Sequence, residues 1–186
     1  MCGECLKSEP PFDAAFVPYL YEHPLDLLMT KLKFGHSLAA GRVLAELWAR
    51  SLREALRIGS IASFPHAIVP VPLHSARLRE RGYNQALELA KPLAREFGIA
   101  LIPDLLQRTR TTAAQSNLDA VSRRKNLRGA FEAGTNLLAS KTPRHIVVLD
   151  DVMTTGTTLR ECARTLKRAG VARVDVWALA RAPHRH

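Results

Sequence analysis

The sequence predicts an α/β domain with a mainly parallel central sheet flanked by helices, preceded by an N-terminal cap segment. Compact apolar runs at 67–71 and 145–149 read as buried strands. Amphipathic stretches at helical spacing follow them, and that alternation implies right-handed βαβ units. The 186 residues suffice for one such domain, which at this size buries roughly 70% of its unfolded surface without disulfide help.

Phe12 to Tyr21 is rich in β-formers and reads as a strand or hairpin. Pro24 to about Lys33 reads as a short helix. A longer helix runs from about Leu38 to Leu56, with Leu44, Leu47, Trp48, Leu52 and Leu56 on its apolar face. Together these form the expected cap. Ala67 to Val71 is a strand that stops in the rigid Pro70 and Pro72 loop. Asn84 to Phe97 is a helix with Asn84 as N-cap, Gly98 beyond its end and Leu87, Ala90, Leu93, Ala94 and Phe97 facing inward. Ile99 to Ile102 is a short strand. Gln107 to Phe131 is basic and lacks an apolar period, so a mobile loop with some helical turns is expected. His145 to Leu149 is a strand, Thr158 to Ala169 a helix ended by Gly170, and Val174 to Leu179 the closing strand.

The charge balance is uneven: 27 Lys and Arg face 17 Asp and Glu, a formal +10. Such an excess attracts anions, which keeps phosphorylated metabolites, nucleic acid and anionic lipid open as partners. Three cysteines without a signal peptide fit a reducing, cytoplasmic setting. No apolar run is long enough for a membrane span.

His145 to Thr158 reads H-I-V-V-L-D-D-V-M-T-T-G-T-T. The strand brings Asp150 and Asp151 to the carboxyl edge of the sheet, where ligands of such sheets bind. Carboxylates there accept hydrogen bonds from sugar hydroxyls. Thr154, Thr155, Gly156, Thr157 and Thr158 then supply hydroxyls and backbone N–H groups at a helix N-terminus, a ready phosphate cradle. Gly156 permits the tight turn. A phosphate beside a diol, as in ribose 5-phosphate, satisfies both halves. Neither a P-loop nor a dinucleotide fingerprint is present. Plain helix capping needs one Thr, not four around a Gly after paired acids.

With these residues in view, the sequence resembles the type I phosphoribosyltransferases, whose diphosphate-sugar motif has this order. The segments Val69–His74 and Arg79–Gln85, with Gln107–Thr112, Gln115, Arg123, Asn126, Gly129–Phe131 and the Lys33–Phe34 pair, are similar to the ComF/GntX group associated with competence. The resemblance implies a type I phosphoribosyltransferase-like fold over 12–186, with 12–60 as the cap or hood. It implies Asp150 and Asp151 as the catalytic acids on the ribose hydroxyls, Asp151 also being a candidate base, and 154–158 as the 5-phosphate loop. Magnesium would accompany phosphoribosyl diphosphate. Arg81 and Asn84 fall where that superfamily contacts diphosphate, and Arg123 and Lys125 fall in its catalytic loop.

Cys2 and Cys5 form a CxxC with zinc-ligand spacing, but a zinc site needs four ligands. The resemblance makes 1–11 the remnant of a zinc-binding module, with His184 and His186 able to complete a site only if the tail folds back. Cys162 sits on an apolar helix face and reads as core. Two functional readings stand side by side. The first is a phosphoribosyltransferase with an unread acceptor. The second is a non-catalytic nucleic-acid-binding accessory factor on the same fold, with single-stranded DNA or competence proteins as partners. A homodimer is compatible with both.

Overall fold

The computed structural model describes residues 9–109, 129–134 and 143–183. Strand β1 (Ala14–Phe16) and β2 (Tyr19–Leu20) open the chain. Helices α1 (Leu25–Phe34) and α2 (Leu38–Arg57) follow. Next come β3 (Ala67–Pro70), α3 (Ser75–Arg81), α4 (Gln85–Phe97) and β4 (Ala100–Leu101). A 3₁₀ turn, Pro103–Leu105, leads into β5 (Leu106–Arg108), and β6 is Phe131–Ala133. The chain closes with β7 (His145–Met153), α5 (Thr157–Arg168) and β8 (Arg173–Arg181).

The main sheet is parallel and runs β1-β8-β7-β3-β4, with β2 also paired to β8. From β3 the chain steps outward to β4 and later returns to β7 on the other side of β3. That reversal creates a topological switch point between β3 and β7, where open α/β sheets bind ligands.

Strand residues alternate between two apolar layers, as a sheet covered on both faces requires. Ile68, Val147, Leu149, Trp177 and Leu179 pack with α1, α2 and α4. Ala67, Val69, Ile146, Val148, Val174 and Val176 pack with α5, Leu105, Leu106 and Phe131.

Four local expectations are revised. Phe12 to Tyr21 is not a hairpin: β1 and β2 each pair parallel with β8 and extend the main sheet, so the segment expected as a cap supplies sheet edge as well. The basic segment after Gln107 is strand at both its described ends, since β5 and β6 pair antiparallel, Arg108 opposite Phe131. Strand β7 continues through Asp150 and Asp151 to Met153 and is not finished at Leu149. On α4 the buried face is centred on Leu89, Ala90 and Leu93, with Leu87 and Phe97 at its margins. The 84–98 caps are as expected: Asn84 accepts from the Ala86 N–H, and Gly98 is left-handed with φ 63°. Among the described residues no helix is long and apolar enough to cross a membrane.

Candidate functional site

The carboxyl ends of β3 and β7 open into a cleft of about 750 Å³. Its floor is Asp150 to Leu159. Tyr21, Lys33, Phe34, Arg77, Arg81 and Arg108 also line the cleft, with the Arg81 guanidinium over the Phe34 ring.

Consecutive residues of a strand point to opposite faces. Asp150 continues the Ile146–Val148 row towards α5, where Cys162 and Arg108 feel its charge. Asp151 continues the Val147–Leu149 row towards α1, where Lys33 Nζ stands 2.8 Å from its Oδ2. Each acid also accepts from the next backbone N–H, Asp151 N–H to Asp150 Oδ1 at 2.9 Å and Val152 N–H to Asp151 Oδ1 at 2.6 Å. Burial, and then the adjacent Asp151 charge, push the Asp150 carboxyl up to about 8. Burial alone would depress Lys33, but Asp151 and Asp150 outweigh it and hold its ammonium above the ordinary range. Burial lowers Arg108, with Arg77 adding to the effect, and burial raises the Cys162 thiol well above its usual value.

The loop after β7 is short. Gly156, at φ 72° and ψ 5°, occupies the N-cap position of α5, and among the described residues no side chain caps that helix. This left-handed conformation suits glycine and opposes any Cβ. Thr155 and Thr157 hydroxyls bond each other at 2.8 Å. The N-cap glycine has no side chain to offer the first-turn amides of α5, which suits a helix N-terminus to an anion.

The Arg81–Gln85 motif works as a clamp. Gly82 ends α3 in the left-handed region, φ 78°. Tyr83 donates its hydroxyl to the Leu32 carbonyl, fixing the end of α1 next to Lys33. Asn84 caps α4 and donates Nδ2 to the Val71 carbonyl at 3.0 Å, which ties the end of β3 to the start of the helix. Both polar ends of the Asn84 side chain therefore serve backbone, and Asn84 does not line the cleft. Asn84→Ala is expected to cost about 1–2 kcal/mol through the lost cap, measured as a lower midpoint in chemical denaturation. Arg81 does line the cleft, with its guanidinium on Gln85 Oε1 at 2.7 Å and 5.5 Å from the Phe34 ring centroid.

The structure thus gathers Asp150, Asp151, Thr154, Thr155, Gly156, Thr157, Thr158 and Arg81 around one space. Arg123, Lys125, Cys2, Cys5, His184 and His186 lie outside the described residues. Sequence reasoning did not assign Lys33 to this site, whereas Arg108 belongs to the basic segment that the resemblance makes the catalytic loop. Lys33 offered only a faint signal, one of two lysines in the last turn of its helix, and its partner lies far along the chain. Among the described residues no group of three or more His, Cys, Asp or Glu side chains forms a metal site.

Residues 84–186 match the family described as Phosphoribosyl transferase domain. The chain is 39% identical over 184 residues to Competence protein F of Haemophilus influenzae, covering 97% of this chain and 78% of that protein. It is 37% identical over 180 residues to DNA utilization protein YhgH of Escherichia coli K12, covering 97% of this chain and 77% of that protein. A more distant similarity, 23% over 163 residues, reaches Competence protein ComFC of Streptococcus pneumoniae, covering 88% of this chain and 66% of that protein.

Proposed function

The chain belongs to the phosphoribosyl transferase family, in its ComF branch, and from that premise we propose that the cleft binds phosphoribosyl diphosphate and transfers its phosphoribosyl group. The observation that carries this reading is the start of α5, with its threonines and left-handed Gly156, beside Asp150 and Asp151 at the switch point. The 5-phosphate would sit on the loop and first-turn amides, and the sugar hydroxyls would donate to the acids. Arg77, Arg81 and Arg108 face the same space and suit a diphosphate by charge-assisted bonds.

Magnesium enters this reading with the ligand, held mainly by diphosphate oxygens and water, which is its usual habit in phosphoryl sites. It would neutralise the departing diphosphate. Cys2 and Cys5 lie outside the described residues, and zinc is not part of the proposal.

The test is calorimetric titration of the chain with phosphoribosyl diphosphate and magnesium. Magnesium-dependent binding is expected in the wild type, together with loss of at least about tenfold in Gly156→Val, because a branched side chain strains the cradle by about 1–2 kcal/mol. Wild-type protein that fails to bind sinks the reading. Diphosphate release in the presence of candidate bases then separates a transferase from a binder.

A second reading is favoured by the net charge of +10 and by relatives named for competence and DNA utilization. In it the same fold serves DNA uptake as an accessory that holds single-stranded DNA or competence proteins. A DNA affinity that falls steeply with added salt supports it, since phosphate contacts release counterions. Salt-independent or absent DNA binding counts against it.

A further inference from the structure

The acid pair has a close cationic partner that lies outside the acid-and-threonine segment. Lys33 comes from the last turn of α1, more than a hundred residues before Asp151, and its Nζ reaches Asp151 Oδ2 at 2.8 Å. Its side chain is 19% exposed and that of Asp151 7%, so solvent screens the pair poorly. Its placement is over-determined. Leu32, the preceding residue, is fully buried, and the Leu32 carbonyl accepts from Tyr83. Gly41 of α2 lies so close that a Cβ there would stand 3.1 Å from Leu32 Cδ1. An ammonium held this firmly against a carboxylate in the floor of a cleft does more than decorate a surface.

Two neighbouring carboxyl groups in a dry site resist carrying two charges at once. Sugar hydroxyls are best received by ionised carboxylates, which only accept. We propose that Lys33 is a positioning residue of the cleft, holding Asp151 in place and favouring the charged, hydroxyl-accepting form of Asp150 beside it. This inference rests on the phosphoribosyl diphosphate reading and adds to it a residue from the N-terminal helical layer.

Other charged and titratable groups face the same space. The Tyr21 ring centroid lies 6.0 Å from Lys33 Nζ. Arg108 of β5 and Cys162 of α5 act on Asp150 from its other face, and Arg77 of α3 acts on Arg108. His36, Glu80 and Arg81 stand at the cleft mouth. Lys33 is a charge that lowers Asp150 directly. Removing it lets the pair hold a proton to higher pH.

The experiment measures affinity for phosphoribosyl diphosphate with magnesium from about pH 6 to about pH 10 in wild type, Lys33→Met and Lys33→Arg. Affinity should rise with pH as Asp150 ionises. In Lys33→Met the midpoint of that rise should move up by about one pH unit, leaving binding about tenfold weaker near neutrality. Lys33→Arg should follow the wild type. A Lys33→Met profile that is lowered equally at every pH makes Lys33 a structural tether and overturns the proposal. Tighter binding by Lys33→Met near neutrality also overturns it, because Lys33 would then be competing with the ligand. Wild-type binding with a superimposable Lys33→Met profile defeats this inference and leaves the ligand reading intact, whereas absent wild-type binding removes both. If Lys33→Met does not fold, Lys33→Gln removes the same charge with a polar side chain and is read in the same way.

Discussion

Asp150→Ala is expected to weaken phosphoribosyl diphosphate binding by roughly ten- to a hundredfold above about pH 8, where the acid is ionised, the equivalent of losing one hydrogen bond to a charged group at about 1.5–3 kcal/mol. The same variant has a second, independent signature in stability. The folded-state value of about 8 lies far above the ordinary 3.8, so between those limits the native state holds a proton that the unfolded chain has released. Asp150 therefore contributes stability in full below about pH 3.8, and that contribution is lost as pH rises to about 8. Alanine cannot titrate. Whatever constant offset the truncation adds, the difference between wild type and variant should shift in favour of the variant from about pH 4 to about pH 8 and then level off. Denaturant unfolding at a series of pH values measures that difference. A difference that stays flat with pH would contradict the assigned burial of this carboxyl.

Trp48→Ala is expected to cost about 3–5 kcal/mol, the usual range for deleting a buried aromatic and a large part of the stability of an ordinary domain. Trp48 is fully buried on α2, in the layer that α1 and α4 share over the sheet. Because α1 carries Lys33, loosening this layer should also blunt ligand affinity. Trp48→Phe should cost far less. It keeps most of the apolar volume and removes an indole N–H that has no acceptor among the described residues, and such a buried donor is itself unfavourable by about 1–3 kcal/mol. Urea unfolding of the two variants side by side checks the ranking, and equal losses would show that packing volume is not what the indole supplies.

The comparison between sequence and structure follows from the range of the interactions involved. The β7–α5 unit was legible because strand, acids, turn and helix are contiguous, and α4 because Asn84 and Gly98 are local caps. The extent of β7 was misjudged because Asp150 and Asp151 are polar, yet their backbones still pair along the ladder, Asp150 opposite Ala178. Helix α3 was missed because none of its residues is buried, so it has no apolar period to read. The β5–β6 pairing and the Lys33–Asp151 contact were missed because each joins distant segments, and residue order carries no record of such partners. Arg81 and Asn84, both assigned from one motif, part company in the structure: the first faces the cleft and the second braces its frame.

The outer rim of the main sheet has a consequence for self-association. On one side the rim is broken into two short pieces, with Pro18, which has no N–H to offer, standing between them. On the other it is the two-residue β4. Neither offers the long run of open donors and acceptors that another copy needs to continue the ladder. Among the described residues, the margins of the main sheet therefore give a second copy little ladder to extend and amyloid-like stacking no ready template.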